Sequence, residues 1–285
     1  MQYKSIPITN LTAGLDPADR KLYDRVYDHF VESREHFPFE NIVLCALQGS
    51  QNYDLGTEAS DVDTKLIVTP SFRDLALNAK PVSTTHVREN DEHIDFKDVR
   101  LYIETFRKAN PNFLEILFTN YTVINGTYAD QWWRLVDAKE QIARMNPRRA
   151  VQAINGMAHT KYRCMTNPTA PKAELFAQYG YLPKELHHLV RVDHLLTKYI
   201  QGDAYAECLI PTGSMHDFLI ELKTNPWPLD KAAELANMTI AHVDKITDEF
   251  CFAHANDVED AGVKALLDDV CYNIMKISVE QELKK

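Results

Sequence analysis

The chain has 285 residues, a formal net charge of −10, and 45% hydrophobic against 25% charged residues. That length exceeds one ordinary domain and supplies ample core for two, while the balanced composition excludes a disordered or low-complexity chain. The acidic balance excludes a broad, sequence-independent grip on duplex nucleic acid, although a local basic groove can coexist with an acidic body.

The segment 1–7 lacks the apolar core of a signal peptide, and no apolar run approaches membrane-spanning length, so a cytoplasmic protein with no membrane partner is expected. Residues 16–35 predict an amphipathic helix, with Leu22, Val26 and Phe30 recurring every fourth residue. An uninterrupted apolar run from Ile42 to Leu47 predicts a buried strand over 41–47, and Gly49-Ser50 follows it. Residues 62–69 predict a second strand, which follows Asp61 and carries Asp63. Side chains alternate along a strand, so Asp61 and Asp63 project to one face while Val62 and Leu66 face the other. Two like charges so close repel, and keeping both ionised favours a bound cation. Magnesium, with manganese as a substitute, prefers such oxygen ligands, and the pair suits magnesium carrying a nucleoside triphosphate.

A further short strand is expected at 81–88. Alternation from Glu92 to Asp98 predicts a half-buried strand on which Asp95 points away from Ile94 and Phe96. A short helix at 112–118 and a turn at Asn125-Gly126 close this part of the chain. The remainder reads as helical. Asn146 with Pro147 starts a helix that stops at Asn167-Pro168, and Lys161 lies near its polar side. Phosphate sites recruit basic side chains, which makes Lys161 a candidate triphosphate contact. Pro183 and Gly202 bound the next helix, on which His187, Arg191, His194 and Lys198 form a basic stripe with Lys184 and His188 alongside. Such a stripe is either a solvated face or the wall of a cleft opposite the sheet. A phosphohydrolase site built from His187, His188, Asp193 and His194 is disfavoured, because adjacent side chains on one helix diverge. Residues 230–255 and 258–283 predict packing helices. The five cysteines, Cys45, Cys164, Cys208, Cys251 and Cys271, are scattered and show no zinc-knuckle spacing.

Gly49-Ser50, a short loop and Asp61-Val62-Asp63 resemble the signature of the DNA polymerase β superfamily of nucleotidyltransferases. The segments 98–106 and 110–118 are similar to the YcgL-like nucleotidyltransferases of bacteria and their phages. The resemblance is specific over about residues 41–120 and weaker over 180–202. It implies an α+β fold, with a polymerase β-like catalytic domain at 1–125 and an all-helical substrate-binding domain at 126–285. It also implies a third metal-binding carboxylate on a neighbouring strand. Alternation favours Asp95 for that role and the resemblance favours Asp98, whose other reading is the N-cap of the following helix. Lys184, His188 and Arg191 match a Lys, His and Arg helix of the family.

The expected activity is transfer of a nucleoside monophosphate from an NTP to a hydroxyl, with two magnesium ions and release of pyrophosphate. The acceptor is an RNA 3′ end, tRNA-like ends in particular, a small metabolite or a protein. A non-catalytic nucleotide or RNA binder on the same fold is the alternative.

Overall fold

The computed structural model describes residues 17–57 and 60–284. Asp16, at the expected start of the first helix, lies outside them. Helix α1 (Pro17–Glu32) leads into strand β1 (Ile42–Gln48), and a 3-10 turn (Ser50–Tyr53) follows. Strand β2 (Asp63–Val68) and the short helix α2 (Phe72–Ala76) precede β3 (Ser83–Val87) and β4 (His93–Asp98). Helices α3 (Val99–Arg107) and α4 (Pro111–Leu114) follow, and β5 (Thr122–Ile124) completes the sheet.

The rest of the chain is helical: α5 (Ala129–Asp137), α6 (Lys139–Arg144), α7 (Pro147–Thr166), α8 (Ala173–Tyr179) and α9 (Pro183–Gln201). The series ends with α10 (Tyr205–Leu209), α11 (Gly213–Thr224), α12 (Leu229–Ala253) and α13 (Ala261–Glu282). No helix is long and apolar enough to cross a membrane among the described residues.

The strands form one mixed sheet in the order β3-β4-β2-β1-β5, with β2 and β4 parallel and the other pairs antiparallel. One face packs on α1, where Val26 and Phe30 meet Val62, Leu66, Val68, Ile94 and Phe96. These are the alternate positions of β2 and β4, as the period-2 pattern requires. The edge strand β5 has no counterpart among the sequence expectations. At three residues, Thr122–Ile124, it is too short to show alternation.

The other face carries Ile67, Tyr102, Phe106 and Leu114, and the same buried cluster continues through Trp132, Ile154, Leu189 and Leu196 to Leu267 and Ile274. The core therefore does not break at residue 125. Helix α13 returns to the sheet end of the molecule: Ser278 and Thr69 hydroxyls lie 2.7 Å apart, and Arg107 pairs with Asp268.

Local chemistry explains the helix limits. Asn146 accepts the Arg149 N–H at the start of α7, beside Pro147 in the first turn. Gly202 closes α9 with φ of 88°, a left-handed value suited to glycine.

Leu267 is fully buried in α13, so Leu267→Ala is expected to cost about 2–5 kcal/mol. Because the core is continuous, urea unfolding followed by far-UV circular dichroism should shift as one step rather than split into two.

Candidate active site on the open sheet face

Register assembles the site. Gln48, the last residue of β1, stands opposite Asp63, the first of β2, so the chain turns at Gly49-Ser50 directly beside the aspartates. Gly49 adopts φ of 89° and ψ of −154°, a conformation that L side chains rarely enter, and the space its missing Cβ would fill is open. Ser50 then opens the 3-10 turn, whose first amides have no carbonyl partner within the turn.

Parallel pairing puts Lys65 opposite Asp95. Residues opposite one another share a face, so Asp63, Lys65, His93, Asp95 and Lys97 lie together, away from α1. Asp61 precedes the strand and is exposed, whereas Val62 is buried on the α1 side. Asp63 Oδ1 accepts from the His93 backbone N–H and from His93 Nδ1, both at 3.0 Å. Asp95 accepts from Thr85 Oγ1 at 2.6 Å, Lys65 Nζ at 3.3 Å and Gln48 Nε2 at 3.4 Å. Burial alone would raise its carboxyl, but the Thr85 bond and the Lys65 charge outweigh it and hold the group below the usual aspartate range.

Asp98 sits elsewhere. It caps α3 by accepting the Arg100 N–H at 2.8 Å, and it takes a bidentate contact from the Arg100 guanidinium at 2.9 and 2.7 Å. It stands opposite Val68 at the far end of β2, about 16 Å along the strand from His93. The geometry thus brings Asp95, and not Asp98, to the side of Asp63.

Two buried carboxylates that the sequence did not single out hold the site from beneath. Glu92, 1% exposed, accepts the Val62 N–H at 3.1 Å, between the two aspartates. It also collects Arg25, Arg88 at 2.7 Å, and His29 Nε2 at 3.1 Å. Glu115 accepts the Gly49 N–H at 3.3 Å and the Tyr53 hydroxyl, and burial pushes its carboxyl up. Arg191 lies over the Tyr53 ring, 4.1 Å from its centroid, with its Nε buried and without a hydrogen-bond partner. Arg191 therefore reaches the Gly49-Ser50 turn through Tyr53 and Glu115, from below, and not across an open cleft.

His187 and the Nδ1 atom of His188 are not on a solvated face either. His187 is buried and donates from Nδ1 to the Leu219 carbonyl at 2.8 Å. His188 Nδ1 is buried without a partner, and burial with the Lys161 charge lowers its basicity strongly. Asp193 instead pairs with His242 at 2.7 Å, so the His and Asp residues of α9 diverge. Lys161 donates to Glu185 at 3.2 Å, and Lys184 is exposed in the first turn of α9. Lys223 of α11, absent from the sequence expectations, donates to the Leu55 carbonyl at 2.6 Å and to Ser60 Oγ at 3.0 Å. Burial and the Lys184 charge lower its basicity while Asp61 raises it, so Lys223 feels both charges.

Among the described residues, no three His, Cys, Asp or Glu side chains form a ready-made metal cage. Asp61 and Asp63 alone fit a hard cation that keeps several waters. Asp95 already has a cation in Lys65.

No protein-family model matches the chain, and no curated protein does. Among solved structures, a nucleotidyltransferase-like protein from Exiguobacterium sibiricum 255-15 is similar over 81% of this chain and 78% of its own. The identity is 11% and the TM-score 0.34.

Burial and the Arg88 charge hold the His29 ring at about 4, against 6.5 when free, and burial lowers His187 to about 4 as well. Both rings stay neutral in the folded state while the unfolded chain takes up protons, so stability is complete above pH 6.5 and falls toward pH 4. The loss is about 3 kcal/mol for each ring. Urea titrations across that window should show the decline, with a shallower slope in His29→Gln.

Proposed function

We propose that this protein is a metal-dependent nucleotidyltransferase, which moves a nucleoside monophosphate from an NTP to a hydroxyl acceptor and releases pyrophosphate. The observation that carries this reading is the pairing of Gln48 with Asp63, which sets the glycine-serine turn beside Asp61 and Asp63 with Asp95 one strand over on the same face.

Asp61 and Asp63 would hold magnesium, which supplies charge compensation and orientation to the triphosphate. The free amides of the Ser50 turn and the Ser50 hydroxyl hold phosphate oxygens, where glycine permits close approach of the backbone. Lys223 and Lys184, on the Asp61 side, offset the charge that gathers on the leaving pyrophosphate. The acceptor hydroxyl donates its proton to the Asp95 carboxylate as its oxygen attacks the α-phosphorus in line. One oxygen–phosphorus bond forms, and the bond from the α-phosphorus to the bridging oxygen breaks. Because Lys65 already compensates Asp95, this reading places one ion on Asp61 and Asp63 and gives the lysine the position of a second.

That same Lys65–Asp95 pair, with only two carboxylates free for metal, favours one other reading, a nucleotide-binding protein without catalysis. The two separate in a single assay with α-labelled NTP, magnesium and cellular RNA. Under the transferase reading Asp63→Asn lowers transfer on the order of a hundredfold with its unfolding transition in place. Transfer at the wild-type rate in that variant would sink the proposal. NTP binding that ignores magnesium, with nothing transferred, would establish the binding role.

A further inference from the structure

Helix α7 and the link between α3 and α4 enclose a groove of about 580 Å3. Its lining includes Lys108 from the link, Asn112 from α4, and Arg149, Gln152, Gly156 and Lys161 from α7, and no carboxylate. Arg149, Gln152 and Gly156 recur at helical spacing and share one side of the helix, and Lys161 stands about a third of a turn round from Arg149 at the groove's other end. Arg149 is exposed and makes no ion pair among the described residues. Lys108 pairs loosely with Glu104 at 3.6 Å, and Glu185 holds Lys161 from behind. Arg149 and Lys161 are twelve residues apart, about 18 Å along the helix, a track longer than one triphosphate.

Gly156 is the second feature. It stands in mid-helix, where glycine costs about 1 kcal/mol relative to alanine. Nothing lies within 4 Å of the position its Cβ would take. No internal packing therefore asks for glycine at that point, whereas an extended ligand lying along the groove gains close approach to the helix backbone.

The third feature is location. Asn112 adjoins Phe113, whose ring has the Lys65 ammonium 4.4 Å and the Lys97 ammonium 4.6 Å from its centroid. Lys65 in turn bonds Asp95. The groove's α4 wall is therefore one residue from the ring that covers the Lys65–Asp95 pair, whereas Lys223 feels the Asp61 charge.

We propose that this groove binds the phosphodiester backbone of a single-stranded nucleic acid, whose terminal hydroxyl is the acceptor at Asp95. The word acceptor rests on the transferase reading; the groove's affinity for the strand does not. A net charge of −10 over the whole protein disfavours a duplex on so short a basic track, while one strand presents a single row of phosphates to it. Amide side chains between the cations contact sugar and base edges without a fixed sequence demand.

The test is fluorescence anisotropy of short labelled single-stranded RNA and DNA oligonucleotides with wild type, Arg149→Glu and Gly156→Leu. Leucine is a better helix former than glycine and fills the groove, so the second variant keeps its fold. Binding by wild type at low salt is expected, weakened about tenfold or more in both variants, with the salt slope reduced by about 1 in Arg149→Glu. Magnesium-NTP affinity is expected to stay unchanged. Comparison of the RNA and DNA arms identifies which strand the groove prefers. No oligonucleotide binding by wild type, or equal affinity in all three proteins, overturns the inference. Loss of NTP affinity in the same variants also overturns it, because the groove would then be the nucleotide's own. If Asp63→Asn transfers normally while the groove variants lose the strand, the transferase reading fails and the groove stands.

Discussion

Compensated burial of two carboxylates fixes the geometry on which everything else depends. Removing a carboxylate from water costs several kcal/mol unless cations and N–H groups surround it. Glu92 meets that cost with Arg25, Arg88, His29 and the Val62 N–H, and Glu115 with Tyr53, the Gly49 N–H and the nearby charges of Lys65 and Arg191. Each arrangement includes one backbone amide of the candidate site. The Val62 amide sets the backbone between the aspartates, and the Gly49 amide sets the turn. Asp61 is then exposed and Asp63 stays 35% exposed, with only its Oδ1 engaged by His93, the reverse of how a protein treats carboxylates kept for structure alone.

Much of the sheet is legible in the sequence because burial there follows a simple period. The run Ile42–Leu47 is apolar throughout because both its faces are covered, and His93–Asp98 alternates because only one of its faces is. From that alternation alone Asp95 falls on the face of Asp63. The third carboxylate was ambiguous only because Asp98 carries two legible signals, a resemblance and an N-cap, and the cap is what the Arg100 contacts describe. Lys223 had no signal at all. It reaches Ser60 across more than 160 residues of chain, and no local pattern encodes a contact at that separation.

The basic stripe of α9 shows a different failure. Periodicity identifies a polar face but not what covers it. Helices α7, α10, α11 and α12 pack around α9 and bury His187 and Arg191, while Lys184 in its first turn stays exposed. His187 resolves this by bonding a main-chain carbonyl as a neutral ring. Arg191 resolves it by placing its guanidinium on an aromatic face beside a buried carboxylate, a use to which its broad, weakly hydrated cation is suited. A lysine there would lose the planar stacking and concentrate its charge on one strongly hydrated nitrogen. The helical part of the protein is therefore joined to the Gly49-Ser50 turn by a buried chain of contacts, Arg191 to Tyr53 to Glu115 to Gly49.

The Lys65–Asp95 pair sets a limit on the chemistry this face can perform. A metal ion at a carboxylate brings exchangeable waters and departs when its ligands do, whereas Lys65 is covalently fixed, 4% exposed and covered by the Phe113 ring. It contributes a positive charge beside Asp95 without needing to be recruited from solution, but it offers no coordination site for an incoming oxygen. In the proposed transfer the acceptor hydroxyl would then be positioned by hydrogen bonding to Asp95 and by whatever holds the rest of the acceptor. The groove proposed along α7 would meet that requirement, because a fixed cation at the reacting end places more of the burden of alignment on contacts farther along the strand.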